Sequence, residues 1–147
     1  MAEISSVSAG PAARAAIERC HAVMHQLRPH LGLDEFVVRV QDQMGQGYRL
    51  AYVEVAGTVV AVAGFRTAQS LSWGKFLYVD DLVTDLEHRS QGFGKMLLDW
   101  LVDEARKNDC AELHLDSGTQ RLGAHRFYER EKMQRSCYHY VIKLHQL

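Results

Sequence analysis

The stretch EHRSQGFGKMLLDW, residues 87 to 100, places an arginine, two glycines and a lysine directly before an apolar run with helical spacing. Upstream, KFLYVDDLVT reads as a strand. Downstream, Met96, Leu97, Leu98, Leu101, Val102 and Ala105 mark one face of a helix from about Gly92 to Lys107. AELHLD, residues 111 to 116, follows as another strand. Residues 76 to 116 therefore form a strand, helix, strand unit, whose two strands should be parallel and joined by a right-handed crossover.

The rest of the chain fits around that unit. Ala12, Ala15, Ala16, Val23, Met24 and Leu27 recur at helical spacing over residues 11 to 28, with Pro11 near the start. A second helix is expected from Asp34 as N-cap through EFVVRVQDQM, ended by Gly45 and Gly47. YRLAYVEV and TVVAVAGFRT, separated by Ala56-Gly57, predict an antiparallel hairpin. A helix from about Arg121 to Lys132 and a last strand, SCYHYVIKL, complete the expected order. The predicted fold class is α+β in layers: a mixed, mostly antiparallel central sheet with helices on both faces and one parallel strand pair.

A chain of 147 residues is expected to form a single domain spanning residues 1–147, long enough for a real core. With 47% hydrophobic and 24% charged residues and a net charge of -1, neither disorder nor polyanion binding is the default, so nucleic acid is not expected as a partner. The N-terminus does not read as a secretory signal, and no apolar run approaches the roughly 18 residues a membrane span needs. Cys20, Cys110 and Cys137 are odd in number and far apart, which suggests neither a disulfide framework nor a C-x-x-C metal site and fits a reducing cytoplasm.

Unpaired N–H groups and the positive end of a helix dipole make the turn before the 92–107 helix an anion cradle, and Gly92 and Gly94 let a ligand approach the backbone. Two nucleotide-binding patterns fail on single residues. The P-loop needs a hydroxyl where Met96 stands and a glycine where Arg89 stands. The dinucleotide fingerprint needs glycine or alanine where this chain has Leu97. What remains is R-x-x-G-x-G, Arg89-Ser90-Gln91-Gly92-Phe93-Gly94, against the alternative of a glycine-rich helix entry without a ligand.

At this point the chain resembles the GNAT superfamily of N-acetyltransferases. LYVDDLVTDLEHRSQGFGKMLL is similar to that family's acetyl-CoA signature and AHRFYEREKM to its later helix, in the right order and about 30 residues apart. The resemblance covers nearly the whole chain. It implies the GNAT-like sheet, with the parallel strand pair splayed, and acetyl-CoA as cosubstrate. It implies that main-chain groups of Leu82 and Val83 meet the pantetheine arm and that Arg89, Ser90, Gln91, Gly92, Phe93, Gly94 and Lys95 wrap the pyrophosphate.

The chemistry so implied sets requirements. An alkylamine of pKa near 10 is mostly protonated at pH 7, and neutralising it costs roughly 4 to 5 kcal/mol at about 1.36 per pH unit. A carboxylate or water chain near the site is therefore useful. Asp80 and Asp81 stand immediately before Leu82; strand alternation sends them to opposite faces unless a bulge intervenes. Asp80 is slightly favoured as base because some family members carry a carboxylate there. Others place a glutamate where this chain has Tyr78, and a structural or substrate-binding acidic pair remains the alternative. The thiolate leaving group needs a proton, and Tyr128 in RFYER falls where many members have a tyrosine general acid; packing alone is its other reading.

The chain departs from the pattern at Arg121, where many members carry asparagine seven residues before the tyrosine. HLDSGTQRLGAHRFY is instead similar to the subset containing aminoalkylphosphonate N-acetyltransferase, so Arg121, His125 and Arg126 either meet an anionic substrate group or form a solvated face. His21 and His25 have i, i+4 spacing but no evident third ligand, and no metal is expected. The expected activity is direct acetyl transfer to a small primary amine, with no acetyl-enzyme. The alternatives are a non-catalytic acyl-CoA-binding or sensory module, and an acceptor amine on a protein or peptide. Exposed edge strands and the aromatic C-terminal segment are compatible with a homodimer.

Overall fold

The computed structural model describes residues 1–146 and divides the chain into two compact units, residues 1–115 and the residues from Asp116 onward. In the first unit five strands lie in sequence order, β1 (Ala2–Ser6), β2 (Arg49–Val55), β3 (Thr58–Ser70), β4 (Gly74–Thr84) and β5 (Glu112–Leu115). Every neighbouring pair is antiparallel except β4 and β5, which are parallel as the strand, helix, strand reading requires. Helices α1 (Ala13–Leu27) and α2 (Leu33–Met44) precede β2, and α3 (Phe93–Lys107) links β4 to β5.

Two apolar clusters divide the sheet into faces. Ile17, Val23 and Met24 of α1 and Phe36, Val37 and Val40 of α2 pack with Leu50, Val62 and Val83. Leu97, Leu101 and Ala105 of α3 pack with Val53, Ala63, Phe65, Leu77 and Val79 on the other face. The spacing read for α3 is its contact stripe, through Leu97, Leu98, Leu101 and Ala105, whereas α1 packs through Ala13, Ile17, Cys20, Val23 and Met24, and Ala12 and Ala15 of the expected stripe are exposed. The β2–β3 turn has Ala56 at φ +50° and Gly57 at φ +80°, the two positive φ values that a two-residue turn matched to strand twist needs.

Three sequence expectations are corrected. β1 precedes both helices, although two helices were expected before any strand; with Ile4 its single large apolar side chain and an edge position, Ala2–Ser6 has little alternation to detect. The N-cap of α2 is Gly32, not Asp34, and Asp34 and Glu35 fall in the first turn, where the helix dipole favours them. Residues 136–144 form no strand: among the described residues they find no ladder partner, and Tyr138, Tyr140, Val141, Ile142 and Leu144 are exposed. Alternation alone does not make a strand when its backbone has nothing to pair with.

The second unit contains α4 (Leu122–Arg130), an extended stretch and a short 3₁₀ turn, Leu144–Gln146. The Met133 amide donates to the Tyr128 carbonyl at 3.0 Å and closes the end of α4. Arg135 pairs with Glu129 at 2.8 Å. Among the described residues no helix is long and apolar enough to cross a membrane.

Candidate active site

The β3–β4 register decides the geometry of the site. Gly64 pairs with Asp81 and Phe65 with Val79, so Asp80 is the extra residue of a β-bulge. Leu77 and Val79 face α3, whereas beyond the bulge Val83 faces α1 and α2. The extra residue reverses the alternation, and Asp80 and Asp81 line one cavity of about 370 Å³ beside α1 and α2. Plain alternation would have separated them; the bulge brings them together.

Their surroundings give them different capacities. Asp81 has both oxygens occupied: Tyr48 Oη donates to Oδ2 at 2.8 Å, and Arg28 donates to Oδ1 from Nε at 3.0 Å and Nη2 at 2.9 Å. Asp80 accepts from Arg66 Nε at 2.9 Å, on Oδ2. Arg66 in turn donates to Gln43 Oε1 at 3.1 Å, and Arg28 donates to the Asp80 carbonyl at 3.1 Å, pinning the bulge. Burial pushes the Asp80 carboxyl above the usual carboxylate range, with the Arg66 guanidinium opposing that rise. Burial also raises the Tyr48 hydroxyl, helped by the neighbouring Asp81 charge, so Tyr48 stays a proton donor to Asp81.

Gly64 makes this arrangement sterically feasible. A Cβ there would lie 1.7 Å from Tyr48 Oη, 2.3 Å from its Cζ and 2.7 Å from Asp81 Oδ2. Arg28, Tyr48, Gly64 and Arg66 were all missed by sequence reasoning. Only Gly64 carried a local signal, a glycine inside a strand run where another group approaches the backbone closely.

Beyond the bulge, β4 outruns its parallel neighbour. The β4–β5 ladder ends at Val79 and Leu115, so among the described residues Asp80–Thr84 have no strand partner on that side. Leu82 and Val83 lie in this segment. The chain then passes a short 3₁₀ turn, Leu86–His88, into the Arg89–Lys95 turn. Asp85, held below the usual carboxylate range by the Gln26 amide and then by His88, anchors that passage.

The cradle has the geometry an anion needs. Gly92 is the N-cap of α3 at φ +86°, a left-handed conformation that disfavours side chains, and Ser90 precedes it at φ +63°. No side chain caps α3, and its first internal bond runs from the Met96 amide to the Gly92 carbonyl at 2.9 Å. The amides of Phe93, Gly94 and Lys95 therefore precede the helical ladder, and a Cβ on Gly92 would meet nothing within 4 Å. The residues fit a pyrophosphate laid against the helix end. Lys95 also reaches Asp99 at 3.0 Å.

Tyr128 lies in the second unit. It is partly buried, with its ring against Phe127 at 5.4 Å between centroids. Burial pushes its hydroxyl above the ordinary phenol range, while the Arg121 guanidinium, hydrogen-bonded to it, pulls the other way. Arg121 is thus engaged with Tyr128, and His125 donates to the Gly118 carbonyl at 2.8 Å. His21 and His25 both contact the Leu31 carbonyl, at 2.9 and 3.0 Å, closing the α1–α2 connection. His114 stacks on Trp73 at 3.6 Å.

A layered mixed sheet whose parallel pair ends early is thus followed by a glycine-rich helix entry without a side-chain cap. The sequence model of the Acetyltransferase (GNAT) family matches residues 16–132. The chain belongs to that family and is an acetyltransferase. It is 35% identical over 109 residues to an uncharacterized N-acetyltransferase of Bacillus subtilis (strain 168), YhdJ, covering 74% of this chain and 77% of the relative. Among solved structures, aminoglycoside N-acetyltransferase AAC(6')-Iy in complex with CoA superposes with a TM-score of 0.83 at 10% identity, covering 97% of this chain and 94% of that one. Ribosomal-protein-alanine N-acetyltransferase from Brucella melitensis biovar Abortus 2308 gives a TM-score of 0.81 at 17% identity, covering 97% and 99%. At these identities the two structures speak for the fold.

Proposed function

We propose that the chain is an acetyl-CoA-dependent N-acetyltransferase that transfers the acetyl group directly to a small primary amine. The observation that carries this reading is the continuity of β4: an acidic pair on a bulge, then a segment that among the described residues has no strand partner on the β5 side, then an anion cradle. When bound, acetyl-CoA supplies an electrophilic thioester carbonyl. Arg89, Ser90, Gln91, Gly92, Phe93, Gly94 and Lys95 hold its pyrophosphate, and main-chain groups of Leu82 and Val83 hold its arm. The family match and the CoA carried by the structural neighbour AAC(6')-Iy support this assignment.

Asp80 takes the proton from the amine, because one of its oxygens is outside the Arg66 bond and burial raises its basicity. Asp81, saturated by Tyr48 and Arg28, is a positioning residue that fixes the bulge. Tyr128 protonates the departing thiolate. That thiolate is a fair leaving group unaided, so Tyr128→Phe is expected to lower kcat about tenfold to a hundredfold, less than loss of a base. A drop under about twofold would leave Tyr128 a packing aromatic. The aminoalkylphosphonate-like pattern around Arg121 enters only as a candidate acceptor chemistry.

Binding and chemistry are tested separately. Acetyl-CoA at about 100 times its dissociation constant should stabilise the fold by roughly 2.7 kcal/mol, read as a rise in Tm. Gly92→Val, which forces a β-branched side chain into positive φ, should abolish that rise. CoA release with an amine panel reads turnover. A thermal shift without release on any amine favours a non-catalytic acyl-CoA-binding module, and acetylated peptides without acetylated small amines favour a protein acceptor.

A further inference from the structure

The cavity in front of the acidic pair is bipolar. Its deeper groups are acidic or phenolic: the side chains of Asp80 and Asp81 are 27% and 15% exposed, and Tyr48 is buried. Its outer groups are basic: Arg28, His30 and Arg39, with the Arg39 side chain 56% exposed. The charges do not cancel evenly. Arg28 is matched by Asp81, and Asp80 by Arg66. Among the described residues Arg39 is matched only by Glu35, one turn away on α2 and half exposed, a pairing of small worth that uses a single Nη2 contact at 2.8 Å.

A bare alkylammonium entering this cavity would approach the Arg28 and Arg39 guanidinium groups with one carboxylate oxygen on offer, Asp80 Oδ1. An amine that also carries an oxyanion offsets the repulsion and gives the remaining Arg39 N–H groups an acceptor. Resting on the acetyltransferase reading above, we propose that the cavity takes a small zwitterionic acceptor, with its amine at Asp80 and a carboxylate or phosphate at Arg39 and His30. An imidazole N–H donates in either tautomer, and a guanidinium keeps donors free after one pairing. The roughly 370 Å³ of space suits a molecule of amino-acid size.

The test is equilibrium binding to the full chain, with and without CoA, of β-alanine and phosphoethanolamine against their uncharged-tail counterparts β-alaninamide and ethanolamine. Both oxyanion-bearing amines are expected to bind at least about tenfold more tightly than their counterparts, as for a charge-assisted hydrogen bond. Arg39→Gln should remove most of that preference, and Arg106→Gln, an exposed charge on α3, should leave it intact. A preference for only one of the two acids identifies the oxyanion and supports the proposal. Equal binding of charged and uncharged tails, or a preference that survives Arg39→Gln, overturns it. CoA release with ethanolamine but with neither acid also overturns it while leaving the acetyltransferase reading standing. Absence of any acetyl-CoA thermal shift defeats that reading instead, and binding in the absence of CoA still reads the cavity.

Discussion

Asp80→Asn is expected to lower kcat/KM about a hundredfold or more at neutral pH, within the range typical of a lost general base, without lowering Tm. The two halves of that expectation come from one cause. Burial raises the Asp80 carboxyl above its unfolded value despite the Arg66 bond. A carboxyl raised in this way contributes stability that is present below the unfolded value and is lost as pH rises through the folded value. At neutral pH the ionised group therefore costs stability, and asparagine removes that cost while Arg66 keeps Gln43 as partner. The acidic limb of the wild-type pH profile should lie above that of an ordinary carboxylate and vanish in the variant. A parallel fall in activity and Tm would mean that Asp80 serves only as the structural partner of Arg66.

Gly64→Ala should have the largest effect on stability. Its backbone is not in the positive-φ region, so alanine is allowed there; the obstacle is the Tyr48 ring. A Cβ at 1.7 Å from Oη cannot coexist with the present rotamer, and Tyr48, only 4% exposed, has little room to yield. Overpacking of this kind costs about 1–3 kcal/mol. Loss of the Tyr48 bond to Asp81 adds about 1–3 kcal/mol. Together they should lower Tm by roughly 6–19 °C in a chain of this size. Tyr48→Ala in the same chain removes the obstacle, so the double variant should be less destabilised than the sum of the singles. Strict additivity would show that the two residues are not in steric contact.

Much of the scaffold was legible because it is periodic. The apolar stripe of α3 from Met96 onward, the Ala56-Gly57 hairpin and the parallel β4–β5 pair all follow from local spacing and turn chemistry. The glycine-rich entry to α3 was legible from residue type rather than from period, and there Gly92 adopts a positive φ. β1 and the expected strand at 136–144 were misjudged in opposite directions. Pairing made a strand of the weakly patterned Ala2–Ser6, and its absence left the strongly alternating C-terminal residues extended and exposed.

The sequence by itself determined the layered α+β architecture, the glycine-rich helix entry after β4 and the candidate acids, since each is set by residue types within a few positions of one another. Which way the acids face was decided only by tertiary structure. Side-chain direction in a strand has a period of two, and one unpaired residue reverses it. That residue is Asp80, identified by the Gly64–Asp81 and Phe65–Val79 register across β3 and β4. The partners that distinguish Asp80 from Asp81 are Arg66, Arg28 and Tyr48, which lie 14, 53 and 33 residues away along the chain. No local pattern reaches that far, and only packing of α1, α2 and β3 against the bulge brings them together.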